Sequence, residues 1–247
     1  MVWKKSDKEN DNVVSFANRK KANNKQKSDT DSSSQNPPHK EPLINLPLGV
    51  KAFVSLLLLI HVGLWVITQL SDENILNMAA INWGFIPARF TGDLYFLPYT
   101  ILTPITYALF HGSWPHILIN SVMLSAFGAG FEKSLGFKKL MIVFWGSTLI
   151  AALVHFLLDS SSISPMVGAS GGISGLFAGM ILLLHKAGRL SPNKKLYPTI
   201  FIFIAISIAF GLLGGPDGSS IAWAAHIGGF LGGLGITHLI FQKMQKG

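Results

Sequence analysis

The sequence contains no cysteine, and this absence removes several kinds of chemistry at once. Without thiols the chain has no disulfide, no cysteine nucleophile and no Cys-based metal site. It also lacks an H-E-x-x-H or comparable ligand cluster, so we expect neither a metal nor a cofactor. Charge is scarce as well, since 13% of the residues are charged whereas 49% are hydrophobic. Such a composition is typical of a membrane protein rather than of a soluble one.

Several apolar runs approach the roughly 20 residues that cross the hydrocarbon core of a bilayer. Charged or Gly- and Pro-rich stretches separate them. The sequence therefore predicts an all-α polytopic membrane protein in residues 46–247, with six transmembrane helices at about 50–70, 115–131, 140–158, 170–185, 197–213 and 221–241. The connection 71–114 is long, and its apolar stretch 99–110 is too short to span. We expect it to form an interfacial loop.

Residues 1–45 differ from the rest of the chain in composition. They mix Lys, Asn, Ser, Gln and Asp without apolar periodicity. This pattern predicts a disordered, basic cytoplasmic tail. The chain carries a net charge of +8. In a multi-pass protein the basic residues mainly reflect its orientation in the membrane, so this charge does not predict a nucleic-acid partner.

Six crossings place both termini on one side of the membrane. All of the 20 Lys and Arg residues except Arg89 then fall on that side, as the positive-inside rule requires of the cytoplasm. The chain shows no eukaryotic targeting signal, so we expect a bacterial plasma (inner) membrane with both termini cytoplasmic.

Polar side chains lie near the outer ends of three predicted spans, where placing polar groups in the membrane costs free energy. Ser170 opens the fourth span, His226 lies early in the sixth, and His116 and Asn120 lie early in the second. These three spans all run from outside to inside, so the four side chains share one depth. Polar groups held at membrane depth predict a functional site.

Serine, histidine and hydrogen-bond donors at one depth are the parts needed for peptide-bond hydrolysis. Ser170 would be the nucleophile and His226 the general base. His116 and Asn120 have i, i+4 spacing, face the same way and could donate to an oxyanion, together with N–H groups at the start of the fourth span. Small residues would let spans four and six approach closely, and the glycines predicted to do so are Gly171, Gly175, Gly179, Gly229 and Gly233.

Four short segments together resemble the rhomboid intramembrane serine proteases. They are His111-x4-His116-x3-Asn120, Gly130-Phe131-Glu132-Lys133-x2-Gly136, Gly168-Ala169-Ser170-Gly171 and Ala225-His226-Ile227-Gly228-Gly229. The resemblance implies a rhomboid-like bundle of six helices, a water-accessible cavity, and a Ser170–His226 dyad without an acid. It also implies cleavage of other proteins' transmembrane segments near the outer face, with His116 and Asn120 as oxyanion donors.

The chain departs from this family pattern in two places. It has no Trp-Arg dipeptide in the first external loop, and Ser174 stands where many members carry an aromatic residue that packs on the catalytic histidine. Two alternatives therefore stay open, a rhomboid-fold pseudoprotease that binds transmembrane helices and, with less support, a multi-pass transporter. The expected partners are transmembrane protein substrates and the bilayer. We also expect loop 211–220 and the Phe-rich fifth span to control substrate entry.

Overall fold

The structure is a computed structural model that describes residues 45–190, 197–213 and 223–246. The described residues are helical and contain no β-strand, apart from a single antiparallel bridge between Phe85 and Met166. Within the described residues, a helix of 17 or more residues overlaps each predicted apolar segment. These helices are α1 (Leu48–Leu70), α2 (Trp114–Leu135), α3 (Phe137–Leu158), α4 (Ser170–Lys186), α5 (Tyr197–Leu213) and α6 (Trp223–Lys246). The tail 1–44 and residues 214–222 lie outside the described residues, and these include positions 214–220 of the loop 211–220 that we expect to control substrate entry.

Within the described residues, three helices are long and apolar enough to cross a membrane, namely α1, α3 and α6, and α4 is a shorter apolar helix of 17 residues. Helix α2 has 22 residues but carries polar side chains along its length, among them His116, Asn120 and Glu132. The chain is thus a helical membrane protein, while the number of crossings stays a prediction.

The helix ends follow local sequence signals. The Ser113 side chain accepts a hydrogen bond from the His116 N–H, and Pro115 occupies the first turn of α2. Gly136 separates α2 from α3 with φ +85°, a left-handed value that glycine adopts without steric cost. These signals place the start of α2, and with it His116 and Asn120, close to the loop 71–114.

Helix α1 is held to α2 by a carboxylate. Glu132 accepts hydrogen bonds from the N–H groups of Gly49 and Val50, at 3.2 and 2.8 Å. These are unpaired donors at the positive end of the α1 dipole, where a negative charge is stabilising. Glu132 is therefore a structural cap at the end of the bundle opposite to Ser170.

The core lies where α3, α4 and α6 pack against one another, and α6 makes extensive contacts with both of the other helices. Helix α4 is the most enclosed, because most of its residues from Gly171 to Ile181 are buried. Its small residues allow this, since a helix rich in Gly and Ser can be surrounded closely on several sides.

The connection between α1 and α2 is built from short pieces. They are the helix Ile75–Trp83, the turns Ala88–Thr91 and Thr103–Thr106, and the 3-10 segments Pro98–Leu102 and Tyr107–Leu109. Backbone hydrogen bonds at 2.9 Å in both directions join Phe85 to Met166, and the Ala88 N–H donates to the Ser162 carbonyl at 3.0 Å. This loop therefore packs against the segment that leads into α4.

Candidate active site

Ser170 and His226 are brought into hydrogen-bond contact. Ser170 is the first residue of α4 and His226 is in the first turn of α6, and the Ser170 Oγ atom lies 2.9 Å from His226 Nε2. Both side chains are half-buried. A hydroxyl and an imidazole nitrogen at this distance can exchange a proton, as a nucleophile and its base must.

Glycines on α4 and α6 account for this proximity. A Cβ atom at Gly229 would overlap the Gly171 carbonyl, and one at Gly233 would overlap the Gly175 carbonyl. The two backbones therefore touch at two points about one helical turn apart, starting one residue beyond Ser170. Gly179, the next glycine of the α4 stripe, faces Thr237 rather than a glycine, since its Cβ would lie 2.7 Å from Thr237 Oγ1.

Helix α3 encloses the other side of α4. A Cβ atom at Gly172 would lie 2.6 Å from the Phe144 ring and 2.8 Å from Thr148 Oγ1, and one at Gly175 would overlap the Ser147 side chain. Glycine is therefore needed on two faces of α4. With α3 behind it and α6 in front, the start of α4 has little freedom to shift.

His116 and Asn120 lie beside the segment that leads into Ser170. A Cβ atom at Gly168 would be 2.6 Å from His116 Nε2 and 3.7 Å from Asn120 Nδ2. Asn120 also donates from Nδ2 to the His116 carbonyl at 3.1 Å, so one amide hydrogen is engaged within α2. The structure thus brings both predicted donors to the chain two residues before Ser170, and their catalytic role stays a prediction.

The start of α4 leaves donors near Ser170. Ala169 is the N-cap residue and has no side chain that can accept from the first turn. The first N–H groups of a helix have no partner within it and lie at its positive end. An oxyanion formed at Ser170 would meet this end of α4.

His111 bonds to the segment before Ser170. Its Nε2 accepts from the Ala169 N–H at 3.4 Å, and its ring meets the His116 ring edge-on with centroids 5.0 Å apart. Burial lowers the pKa of His111 well below its usual value, and the nearby His116 and His61 act in the same direction. The neutral ring can keep accepting this bond.

Ser174 is buried and donates from its hydroxyl to the Ser170 carbonyl at 2.7 Å. Among the aromatic contacts of the described residues, none involves His226. In the described residues, the hydrogen-bond partner of the His226 ring is the Ser170 hydroxyl at 2.9 Å. The described part of the chain contains no group of three His, Asp or Glu side chains that could hold a metal ion.

Sequence reasoning missed Tyr107. This residue is buried, its hydroxyl donates to the Thr148 carbonyl at 2.9 Å, and its own carbonyl accepts from the Gly168 N–H at 2.9 Å. The available signal was a tyrosine inside the apolar stretch 99–110, four residues before His111. A phenol in such a stretch usually finds a buried partner.

Known proteins resemble this chain over the region that forms the site. A family model described as "Rhomboid domain" matches residues 99–243, more than half of the 247 residues. The chain is 30% identical over 138 residues to "RHOMBOID-like protein 5" of Arabidopsis thaliana, covering 56% of this chain and 43% of that protein. It is 34% identical over 139 residues to "RHOMBOID-like protein 1" of the same plant, covering 56% and 34%.

A bacterial relative is covered more fully. The "Putative rhomboid protease YdcA" of Bacillus subtilis (strain 168) is 26% identical over 195 residues, which is 78% of this chain and 90% of that protein. By contrast, the match spans less than half of the length of the two plant relatives. The family model covers α2 to α6, including His116, Asn120, Ser170 and His226. This chain therefore belongs to the rhomboid family and is an integral membrane protein.

Proposed function

We propose that this protein is an intramembrane serine endopeptidase that hydrolyses peptide bonds in or near transmembrane segments of other proteins. The observation that carries the proposal is the 2.9 Å separation of Ser170 Oγ and His226 Nε2, on two helices whose backbones touch. The family includes serine proteases, which supports this reading.

The reaction follows from this pair. Ser170 Oγ attacks the carbonyl carbon of the peptide bond, and His226 Nε2 takes the hydroxyl proton. The tetrahedral intermediate collapses when His226 returns that proton to the leaving amine, which leaves an acyl group on Ser170. Water then attacks the ester, with His226 again accepting the proton and returning it to Ser170 Oγ. The carboxylic acid product leaves and both side chains regain their starting states.

The negative oxygen of each tetrahedral intermediate needs donors. The first N–H groups of α4 adjoin Ser170, and His116 and Asn120 reach the chain at Gly168. Removing one donor from an oxyanion site typically costs about 2.7–4 kcal/mol of transition-state stabilisation. Either side chain acting in this way would therefore affect the chemical step more than substrate binding.

The position of the dyad suggests which substrates fit. Ser170 begins α4 and His226 lies in the first turn of α6, so the reaction takes place at one end of the bundle. A peptide bond within an intact helix is protected by its own hydrogen bonds, so the substrate must unwind locally. We expect substrates with Gly, Pro or polar residues near the outer end of their span. A bacterial plasma membrane with both termini cytoplasmic is the location that the charge distribution favours.

A rhomboid-fold pseudoprotease is the second candidate, and one observation favours it. No aromatic ring in the described residues packs on His226, and Ser174 occupies the position of that ring. A transporter has less support, because Glu132 is the one acidic residue within the six helices and it caps α1. Carboxylates inside a bundle commonly mark ion pathways, and this one is engaged at a helix end.

The deciding experiment compares the parent chain with Ser170→Ala and His226→Ala in reconstituted vesicles. The readouts are cleavage of a single-span reporter whose helix contains Gly and Pro near its outer end, and labelling by a fluorophosphonate. Matched controls are Ser134→Ala and His238→Ala, which alter exposed residues of the same types. We expect the parent and both controls to cleave the reporter and to be labelled, and both site variants to lose cleavage.

Two results would contradict the proposal. Cleavage by Ser170→Ala at the rate of the parent would remove Ser170 from the mechanism. The second is a parent chain that neither cleaves any of several helix-destabilised reporters nor reacts with the fluorophosphonate. The protein would then be assigned as a pseudoprotease and not as a protease.

A further inference from the structure

Tyr107 connects three parts of the site that are far apart in sequence. It lies in the 3-10 segment Tyr107–Leu109, before α2, and is 1% exposed. We propose that Tyr107 is a positioning residue that fixes the start of α4, and so the place of Ser170, relative to α3. This inference rests on the proposed serine endopeptidase activity.

The side chain of Tyr107 anchors it to the core. Its hydroxyl donates to the Thr148 carbonyl at 2.9 Å, across 41 residues of sequence. Burial raises the pKa of Tyr107, so the hydroxyl remains a protonated donor. Thr148 is itself buried in the middle of α3, where Thr148 Oγ1 donates to the Phe144 carbonyl at 2.9 Å. The phenol is therefore hydrogen-bonded to a buried part of α3.

The backbone of the same residue holds the segment before Ser170. The Tyr107 carbonyl accepts from the Gly168 N–H at 2.9 Å, and also from the Phe110 N–H at 3.3 Å. Gly168 is two residues before Ser170 and has φ +118°. The Tyr107 side chain is hydrogen-bonded to α3 and its carbonyl to Gly168. Tyr107 therefore holds the segment 168–170 in place relative to α3.

The hydroxyl also touches the first turn of α4. A Cβ atom at Gly171 would lie 2.8 Å from the Tyr107 hydroxyl oxygen and 2.8 Å from Ala151 Cβ. The phenol thus fills the space between α3 and Gly171. Its loss would leave a gap beside Gly171, the residue that follows Ser170. Displacements of about 1 Å at reacting groups can lower rates strongly.

The substitution Tyr107→Phe tests the role by removing one oxygen atom. We expect the rate of fluorophosphonate labelling at Ser170 and kcat for a reporter substrate to fall about tenfold, because the nucleophile is less well placed. We expect KM to change less than about twofold, since no contact described for Tyr107 faces a substrate site. A residue with a merely structural role would lower the amount of folded protein without changing the kcat of the folded fraction.

Tyr99→Phe is the matched control. The Tyr99 hydroxyl donates to Asn82 Oδ1 at 2.9 Å. Both residues belong to the loop 71–114, so this hydrogen bond does not join the loop to α3 or α4. We expect this variant to keep the labelling rate and kcat of the parent. An equal fall in both variants would show that any lost hydroxyl in the loop has this effect, and would overturn the proposal.

Amide hydrogen exchange provides a second readout that does not depend on activity. In detergent, we expect Tyr107→Phe to exchange faster than the parent in peptides covering residues 166–171, and Tyr99→Phe to match the parent there. Parental exchange and parental labelling in Tyr107→Phe would overturn the proposal, as would faster exchange across all helices. If the parent is not labelled at all, the proposed activity fails, whereas the exchange result still decides whether Tyr107 holds the start of α4.

Discussion

Gly168 shows how one residue can limit the geometry of the site. Its φ of +118° lies outside the range that side chains tolerate, and its Cα faces His116 Nε2 at a distance too short for an added methyl group. Its N–H is held by the Tyr107 carbonyl. Strained backbone of this kind costs about 1–3 kcal/mol in a residue other than glycine and persists only where the surroundings enforce it.

Gly168→Ala should therefore impair the site while leaving the helices intact. We expect fluorophosphonate labelling of Ser170 to fall at least tenfold, because the segment 168–170 must shift and His116 must move. The control is Gly112→Ala, since a Cβ at Gly112 meets nothing within 4 Å and its φ is not positive. Labelling of Gly168→Ala at the rate of the control would show that the segment tolerates a side chain.

At the scale of elements, the contact between α4 and α6 decides whether Ser170 and His226 meet. The backbones touch at Gly171 with Gly229 and at Gly175 with Gly233. Side chains larger than hydrogen at these points would separate the two helices. Because both reacting side chains lie at the ends of these helices, separation would act on their distance directly.

Gly233→Ala tests this contact at a distance of two helical turns from His226. Its Cβ would overlap the Gly175 backbone, so we expect the variant to lose about 1–3 kcal/mol of stability. We also expect slower labelling of Ser170. Thermal unfolding in detergent and the labelling rate are the measurements.

Gly235→Ala is the control for this variant. It alters the same helix two residues further on, where a Cβ meets nothing within 4 Å. Since alanine favours a helix over glycine by roughly 0.5–1 kcal/mol, this variant should be as stable as the parent or slightly more stable. Equal behaviour of the two variants would mean that the helix contact is not as close as the glycines indicate.

At the scale of the whole molecule, charge separates the two ends of the bundle. Basic residues lie at the end that holds the Glu132 cap, and two of them make contacts between helices. Lys139 Nζ lies 3.3 Å from the Met244 sulfur, and Lys186 Nζ lies 4.2 Å from the centre of the Phe241 ring. The start of α3 and the ends of α4 and α6 are therefore neighbours, and we expect this end to face the cytoplasm.

Orientation can be measured directly because the chain has no cysteine of its own. We expect a membrane-impermeant thiol reagent applied to spheroplasts to label Glu73→Cys and Ser160→Cys, and to label Lys138→Cys after lysis alone. All three positions are exposed in the structure. Labelling of Lys138→Cys in intact spheroplasts would reverse the orientation, and labelling of Ser160→Cys only after lysis would change the number of crossings.

The helices were predictable because their cause is local. Each apolar segment must satisfy its backbone hydrogen bonds internally in a bilayer, so hydropathy alone indicates where helices form. The predicted segment 115–131 and the observed α2, Trp114–Leu135, differ mainly at the C-terminal end, where Glu132 and Lys133 extend the helix beyond the apolar run. At this end Glu132 accepts hydrogen bonds from Gly49 and Val50, and sequence spacing does not show contacts between residues so far apart along the chain.

The contacts around Ser170 were less predictable because they join residues that are distant along the chain. Ser170 and His226 could be suspected from the cost of placing polar groups at membrane depth. The stripe of small residues on α6 could also be recognised from the sequence. Its spacing did not indicate that Thr237 would be the residue of α6 that faces Gly179. Tyr107 and the turn of His111 toward Ala169 had no signal beyond residue type.

The sequence by itself determined the membrane character of this protein, the positions of its helices, the family and the side chains available for chemistry, because hydropathy and residue type are local properties. The tertiary structure decided which of those side chains touch. The 2.9 Å contact of Ser170 with His226, the placement of Gly168 against His116 and the link from Tyr107 to Thr148 all depend on how closely separate helices approach. Close approach is a property of packing between helices, and no single segment contains it.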